Sequence, residues 1–254
     1  DTNETLLDKW EIKTNTENNG ESILSDVAKA VDNKLAQEAI SKDDVQGIGI
    51  GVPGPVDSQG VVHRCVNLGW GVVNVAEELG NLTGLTIKVG NDANVAALGE
   101  MWQGGAKGSK DVIMVTLGTG VGGGIIVDGK VVAGFNGAGG EIGHITVNHD
   151  EIEACNCGQY GCLEQYTSAT GIVRLAKRKL AKSSEETSIR EIPNLTAKDV
   201  FDAAKAGDAI AIGLVDEVCE ILGSTLSNIA CVVNPEIIVI GGGVSKAGDI
   251  FLDN

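Results

Sequence analysis

The sequence predicts a two-lobed α/β protein with a ligand-binding cleft between its lobes. Apolar runs of strand length alternate with longer stretches of helical spacing, and several of these runs end in glycine-rich turns. The 36 glycines, set against 4 prolines and 3% aromatic residues, are typical of many tight turns between strands and helices. The predicted strands form one group before about residue 91 and another after about residue 110. We therefore expect an N-terminal α/β lobe over residues 1–91 and a larger α/β lobe over residues 92–254.

The N-terminal lobe begins with a predicted strand over residues 8–14 and a polar loop. Residues 21–40 carry apolar side chains at helical spacing and predict a helix. The run VQGIGIGV predicts a buried strand that ends in a Pro-Gly-Pro turn, and turns at such strand ends often contact ligands. The remaining elements predicted for this lobe are a short helix over 75–84 and a strand over 85–92.

The larger lobe contains a segment, residues 111–134, that predicts strand, glycine turn, strand and hairpin. Thr196 and Asp199 have the spacing of a helix-capping box. The helix predicted over 209–234 is apolar around most of its surface, so we expect it to be largely buried. Further helices are predicted over 93–105, 166–182 and 196–207, and a buried strand over 236–244.

Charge and apolar patterning exclude several classes of protein. The net charge is −16, with 35 acidic and 19 basic side chains, which argues against a broad basic surface for nucleic acid or anionic membrane. No apolar run approaches the roughly 18 residues of a membrane span, and the first residues lack the pattern of a signal peptide. We expect a cytoplasmic protein, whose six cysteines are too sparse for a disulfide scaffold.

One His and three Cys lie close together in the chain and have the side chains that bind zinc. His144, Cys155, Cys157 and Cys162 give the pattern H-x10-C-x-C-x4-C, a nitrogen and three sulfurs of the kind that hold tetrahedral Zn2+. Four protein ligands leave no position for an activated water, so this zinc is expected to be structural. The alternative is three reduced cysteines and an unrelated histidine. The other cysteines, Cys65, Cys219 and Cys231, are predicted to lie in the core.

Carboxylate side chains occur in two regions near this metal pattern: one region lies well before it in the chain, and the other lies directly on either side of it. Asn91 and Asp92 come at a predicted strand-to-helix junction, where an Asp serves either as a helix cap or as a catalytic acid or base. Glu141 and Glu164 stand on either side of the metal pattern. Together with His144, these groups are suited to binding several neighbouring hydroxyls, as a sugar requires. Asp92 could then accept the proton of a hydroxyl that attacks a phosphoryl group.

Two glycine turns follow predicted strands. Gly118, Gly120 and Gly123 spell G-x-G-x-x-G, but a strand follows instead of a helix, so a dinucleotide-binding fold is excluded. A strand–glycine turn–strand can present N–H groups to phosphate, with Thr119 adding a hydroxyl, although an ordinary hairpin has the same pattern. The run IGGGV at residues 240–244 is a second such turn, suited either to a nucleotide or to a helix entry.

The combination of these motifs resembles the ROK family of bacterial sugar kinases and repressors, and within it the glucokinases. The resemblance rests on LGTGVGGGIIVDGKVVAGFNGAGGEIGH and CNCGQYGCLEQ, together with GVPGPVD, VNLGWG, NDANVAALGE and NPEIIVIGGGVS. It implies the two-lobed, actin-like (ribonuclease H-like) ATPase fold with the active site in the interlobe cleft. It also implies that ATP, with Mg2+, phosphorylates glucose at its 6-hydroxyl while Zn2+ remains structural.

The resemblance assigns roles to the residues that match the family motifs. Asp92 becomes the catalytic base, and His144 holds zinc through one ring nitrogen and faces the sugar with the other. The remaining assignments follow. The sugar is bound by Gly54, Asn67, Asn91, Asp92, Glu141, His144 and Glu164, phosphate by Gly118, Thr119 and Gly120, and the nucleotide by Gly241, Gly242 and Gly243.

The resemblance also implies a first strand with a D-x-G-G-T phosphate turn before Asp1 and a terminal helix after Asn254. Because this turn and its Mg2+-side acidic group are not in the sequence, we expect the chain alone to lack turnover. Family members are commonly homodimers or homotetramers. Other interpretations are a kinase for N-acetylmannosamine, fructose or mannose, a sugar-sensing repressor, and a zinc-stapled sugar-binding module. ATP, another nucleotide and polyphosphate all remain as donors.

Overall fold

The computed structural model describes residues 5–252, which fall into two compact units. The first unit contains the residues up to Asp92 and the segment Phe135–Ala138, and the second contains Ala93–Gly134 and the residues from Gly139 onward. The segment Phe135–Ala138 packs in the first unit because Gly137 has no side chain. A Cβ atom at that position would overlap the carbonyl oxygen of Val56.

The first unit is built around two parallel strands. Strand β1 (Ile48–Val52) pairs with β4 (Ile87–Asn91) in a register that sets Val52 opposite Asn91. Because parallel strands end at the same edge, the Pro-Gly-Pro turn and Asn91 lie side by side. The other elements are α1 (Glu17–Gly20), α2 (Ile23–Gln37), the antiparallel pair β2 (Val61–Val62) and β3 (Val73–Asn74), α3 (Val75–Thr83), and one-turn helices at Lys42–Asp44 and Val66–Leu68.

The second unit is a three-layer α/β/α arrangement around a four-stranded sheet of order β7-β6-β5-β8. Strand β5 pairs antiparallel with β6 and parallel with β8. Ile113 and Val115 of β5 face a core formed with several helices, whereas Met114 faces a smaller core that contains Ala97. The strands are β5 (Val112–Leu117), β6 (Val121–Val127), β7 (Lys130–Val131) and β8 (Ile237–Gly241). The helices are α4 (Asp92–Gln103), α5 (Glu164–Thr167), α6 (Ala169–Lys182), α7 (Ala197–Lys205), α8 (Ala209–Val233), α9 (Asp249–Leu252), and one-turn helices at Ile142–His144 and Val244–Ala247.

Two positions on the sheet and its helices show why particular residues are needed. A Cβ atom on Gly124 would lie 2.5 Å from the Cβ of Ala97, so the glycine lets α4 lie close to β6. At the start of α7, Thr196 and Asp199 form the capping box that their spacing predicts. Within residues 5–252, no helix has both the length and the apolar character needed to cross a bilayer.

Three predictions made from the sequence are wrong. The segment 8–14 is not a strand in the described chain. It is exposed, and Lys34 of α2 forms an ion pair with Asp8 and places its ammonium 5.5 Å from the ring centre of Trp10. Its alternating apolar residues have the strand period, but a period cannot supply a pairing partner. Helix α8 is predicted to be largely buried, but it exposes one face, which includes Glu217. Cys231 is predicted to lie in the core, but it lies on that exposed side of α8.

Candidate functional site

A compact cluster of metal-binding side chains lies in the second unit. The ligand atoms of His144, Cys155, Cys157 and Cys162 all lie within 4.8 Å of one another. The Sγ atoms of Cys157 and Cys162 are 3.6 Å apart, and Cys155 Sγ is 3.9 Å from His144 Nδ1. A tetrahedral Zn2+ with bonds of about 2.3 Å to sulfur sets its ligands roughly 3.8 Å apart. The donor set and these separations fit a structural zinc ion, which the four side chains would hold.

Burial affects the cysteines of this cluster. Burial raises the pKa of the Cys162 thiol to about 12, and the neighbouring thiols of Cys157 and Cys155 act in the same direction. Burial also raises the pKa of Cys155. Because zinc binds thiolates, a cation that enters this cluster must displace protons from thiols that are otherwise neutral.

Gln165 supports the loop that carries these ligands. Its side chain is buried, accepts a hydrogen bond of 3.1 Å from the N–H of Cys162, and donates one of 2.9 Å to the carbonyl of Glu153. The N–H of Cys155 donates to the carbonyl of Gln159 at 2.7 Å. Gly161 has φ +70°, and a Cβ atom there would overlap the carbonyl of Asn148. The loop therefore has a defined backbone from its own hydrogen bonds.

A buried ionic network holds the loop against α6. The carboxylate of Glu151 pairs with Arg174 and, at 2.8 Å, with Arg178, and it accepts a hydrogen bond of 2.7 Å from Tyr166. Burial alone would raise the pKa of Glu151, but the hydrogen bonds from Tyr166, Arg174 and Arg178 outweigh burial and lower it well below its ordinary value. Arg174 also contacts Glu153 at 2.7 Å.

Glu164 connects the metal-binding loop with the first glycine turn. It is the first residue of α5 and follows Cys162 by two positions. Its Oε2 accepts a hydrogen bond of 3.0 Å from the N–H of Val121, and its Oε1 lies 3.7 Å from Cys155 Sγ. A Cβ atom on Gly120 would overlap Oε2 of Glu164. Glycine is therefore needed at position 120 if the carboxylate is to keep this position.

The two glycine turns lie side by side in the second unit. Strands β5 and β8 are parallel neighbours, with Thr116 opposite Gly241, so the turns that follow them are at the same edge of the sheet. Gly242 has φ +92°, and a Cβ atom there would overlap the carbonyl oxygen of Leu117. Gly118, which follows Leu117 in the chain, has open space at its Cβ position. This edge therefore offers a surface formed largely by backbone.

Other contacts fix the shape of the first glycine turn. The N–H of Gly118 donates to the carbonyl of Gly120 at 3.0 Å, which closes the turn. The hydroxyl of Thr170 donates to the carbonyl of Thr119 at 2.7 Å. The N–H of Ala169 donates to the carbonyl of Gly118 at 2.8 Å. The start of α6 thus binds two carbonyls of the turn.

In the first unit, a second group of candidate residues lies where β1 and β4 end. Asn91 Nδ2 donates a hydrogen bond of 3.2 Å to the carbonyl of Gly54. Gly54 has φ +98°, and a Cβ atom there would lie 2.5 Å from the carbonyl oxygen of Arg64. Asp92 follows directly as the first residue of α4. Asn67 lies in the one-turn helix Val66–Leu68 with its side chain exposed.

The structure thus assembles the candidate residues within each unit. In the second unit it brings together the four metal ligands, Glu164 and the turn Gly118–Gly120, and Glu141 precedes the one-turn helix that carries His144. Sequence analysis missed the network of Glu151 and the role of Gln165. Arg174 and Arg178 are four residues apart on one helix, but that spacing does not identify a carboxylate partner elsewhere in the chain.

Comparison with known proteins places this arrangement in context. A profile described as the ROK family matches residues 1–254. A glucokinase from Halalkalibacterium halodurans is 47% identical over 251 residues, which are 97% of this chain and 76% of that protein. The crystal structure of a ROK family glucokinase from Streptomyces griseus in complex with glucose and AMPPNP is 34% identical, with a TM-score of 0.76 over 96% of this chain and 78% of that one. A ROK family transcriptional regulator, a homologue of the E. coli MLC protein, is 28% identical, with a TM-score of 0.81 over 92% of this chain and 59% of the regulator.

Proposed function

This chain belongs to the ROK family, and we propose that it transfers the γ-phosphoryl group of ATP to glucose, giving glucose 6-phosphate. Its fold is the two-lobed actin-like ATPase fold of the ROK sugar kinases. The observation that carries the proposal is the hydrogen bond from Val121 to Glu164, which joins a metal-binding loop to a glycine turn. The groups proposed to bind the sugar and those proposed to bind phosphate are then held next to each other by this hydrogen bond.

We propose that Asp92 is the general base. Its carboxylate takes the proton of the glucose 6-hydroxyl as that oxygen bonds to the γ-phosphorus and the bond between phosphorus and the ADP oxygen breaks. Strand β4 ends at Asn91 and helix α4 begins at Asp92, so this strand-to-helix junction fixes the backbone position of Asp92. Asn91, Gly54 and Asn67 are proposed to contact the sugar from the same unit.

The second unit is proposed to bind the sugar through Glu141, His144 and Glu164. The Nδ1 atom of His144 lies on the cysteine side of the ring, so Nε2 is the atom proposed to face a sugar hydroxyl. When bound, the zinc ion would hold the ring and the loop in place, and its four protein ligands give it no part in the chemistry. The fixed loop lowers the entropy that the protein loses on sugar binding.

The two glycine turns are proposed to bind the nucleotide. The N–H groups of Thr119 and Gly120 and the hydroxyl of Thr119 would donate to phosphate oxygens, because closely spaced N–H groups attract anions. Gly241, Gly242 and Gly243 would lie against the remainder of the nucleotide, where the lack of side chains allows close approach. Mg2+ is proposed to accompany ATP and to offset the charge of its phosphates.

A sugar-sensing repressor is the second candidate function. The observation that favours it is the TM-score of 0.81 with a ROK family transcriptional regulator. A sensor would keep the sugar-binding residues and the metal loop without needing turnover. The zinc-stapled binding module without catalysis is a third candidate, and kinases for N-acetylmannosamine, fructose or mannose differ from the leading proposal in the sugar alone.

The test is ADP release by a purified protein in which the first strand with its D-x-G-G-T turn and the terminal helix implied by the resemblance are added to the chain, and the same protein serves in all kinetic tests below. It is supplied with Mg-ATP and, separately, glucose, mannose, fructose and N-acetylmannosamine. We expect the highest kcat/KM with glucose, and a preference for another hexose would reassign the substrate. Glucose binding by calorimetry without ADP release would favour the sensor. Replacing ATP by polyphosphate in the same assay tests the donor.

We further propose a cytoplasmic homodimer or homotetramer. Light scattering coupled to gel filtration would measure the mass of the assembly against the 26.1 kDa of one chain. A monomeric mass at micromolar concentration would contradict the proposed assembly. Fractionation of the host cells would test the location.

A further inference from the structure

Three consecutive residues of the first unit have left-handed backbone conformations. Asn18 has φ 50° and ψ 44°, Asn19 has φ 60° and ψ 33°, and Gly20 has φ 66°. L-residues avoid this region, and Asn and Gly visit it as isolated residues, seldom as a run. Such strain persists only where surrounding contacts hold it in place, and it often accompanies a functional site.

The contacts that hold this segment come from the hairpin Cys65–Trp70. The indole N–H of Trp70, a buried side chain, donates a hydrogen bond of 3.2 Å to the carbonyl of Gly20. A Cβ atom on Gly20 would lie 2.6 Å from the carbonyl oxygen of Leu68 and 2.8 Å from Trp70 Nε1. From the other side, a Cβ atom on Gly69 would lie 3.0 Å from the Cα of Asn19. The two segments interlock through glycines that have no room for a side chain.

The hairpin itself is short and carries Asn67 near its tip. Its base is closed by hydrogen bonds of 3.0 Å in both directions between the backbones of Cys65 and Trp70. The side chain of Asn67 is exposed, and this residue is one of the proposed sugar contacts. A cavity of about 410 Å³ borders Asn19, Gly20 and Trp70, so the hairpin has space to shift on that side if the interlock is lost.

We propose that the left-handed segment Asn18–Gly20, together with Trp70, positions the hairpin so that Asn67 meets the hexose. This inference rests on the proposed function. The segment touches no substrate itself, so its residues are positioning residues that determine sugar affinity. The left-handed conformation is the one in which the carbonyl of Gly20 accepts the hydrogen bond from the indole of Trp70.

The test compares Gly20→Ala with Gly84→Ala. Both glycines have φ near +70°, so both variants suffer the same backbone strain, but a Cβ atom on Gly84 meets nothing within 4 Å. We expect Gly20→Ala to raise the KM and the calorimetric Kd for glucose about tenfold, the scale of one lost hydrogen bond. The kcat should stay within about twofold and the KM for ATP should not change. Gly84→Ala should keep the wild-type KM and Kd for glucose.

A second pair keeps the test valid if Gly20→Ala fails to fold. Trp70→Phe removes the indole donor and keeps an aromatic ring, and Trp10→Phe is its control on an exposed residue of the same unit. Glucose affinity that is equal in Trp70→Phe and Trp10→Phe overturns the inference while the proposed function stands. A wild-type protein that neither binds nor phosphorylates glucose overturns the proposed function, and this inference with it.

Discussion

The N–H of Val121 donates a hydrogen bond of 3.0 Å to Oε2 of Glu164. Val121 is the first residue after the glycine turn, and Glu164 begins the helix that follows the last metal ligand, Cys162. One carboxylate therefore fixes the distance between the metal-binding loop and the proposed phosphate turn. Oε1 of the same carboxylate lies 3.7 Å from Cys155 Sγ. A displacement of the metal ligands should therefore also displace the turn.

The first prediction concerns Gly120, whose missing side chain makes room for this carboxylate. Gly120→Ala should displace Glu164 and break its bond to Val121, because the added Cβ would overlap Oε2. We expect kcat/KM for glucose to fall about 10- to 100-fold, the scale of one or two lost polar interactions. Steady-state kinetics would measure the fall.

The control for this variant is Gly99→Ala in helix α4, where a Cβ meets nothing within 4 Å. That change should keep activity and raise stability slightly, because alanine favours helices more than glycine does. If Gly120→Ala kept the wild-type KM and kcat, the link between Glu164 and the turn would have no functional role.

The metal cluster gives the second prediction. Cys157→Ser should release bound zinc, since one of four ligands is lost, and should weaken glucose binding because the loop that carries His144 is loosened. Zinc per chain is measured by plasma mass spectrometry and glucose affinity by calorimetry. Cys231→Ser is the matched control, because Cys231 is an exposed cysteine on α8. Equal zinc content in the two variants would remove Cys157 from the ligand set.

Local patterns explain how much of this molecule could be predicted from the sequence. The helical spacing of residues 21–40 correctly predicts α2, and the glycines after β5 correctly predict a strand–turn–strand. Both patterns lie within a few neighbouring residues, which is why they can be recognised in the sequence. The clustering of the metal ligands depends on a loop of fewer than twenty residues, so short-range spacing was sufficient to bring them together.

Long-range partners could not be predicted in this way. Nothing in a single sequence tells which carboxylate Arg174 and Arg178 share, and the answer, Glu151, depends on how α6 packs against the loop. The dipeptide Asn18-Asn19 signals a turn, but the contact of that turn with Trp70 crosses about fifty residues of chain. These are consequences of tertiary packing.

The third prediction concerns Asp92. Asp92→Asn keeps the size of the side chain but removes the proton acceptor, so glucose binding should survive while kcat falls by about two to four orders of magnitude, as loss of a general base does. Calorimetry with glucose and an ADP-release assay separate the two effects. Near-normal turnover would show that Asp92 is not the base, and lost glucose binding would place the residue in sugar recognition alone.

The fourth prediction follows from Asp208, the N-cap of α8. Its carboxylate accepts hydrogen bonds from the N–H and hydroxyl of Ser188, the hydroxyl of Thr187 and the N–H of Ala211. Burial alone would raise the pKa of Asp208, but these bonds outweigh burial and lower it from 3.8 to about 2. The charged form is thus favoured by folding. Its stabilisation is complete above the unfolded pKa of 3.8 and is lost as the pH falls towards 2.

Asp208→Asn keeps a capping oxygen and removes the charge. Allowing for solvent screening at this half-buried position, it should lower the free energy of unfolding by roughly 1–2 kcal/mol at pH 7. The difference in free energy of unfolding between Asp208→Asn and the wild type should narrow between about pH 4 and pH 2, because the native Asp208 becomes protonated in that interval. Urea unfolding followed by circular dichroism measures it, with Asp216→Asn, an exposed position on α8, as the control. A difference that stays constant down to the lowest pH would mean that the cap acts through geometry, and the charge contributes nothing.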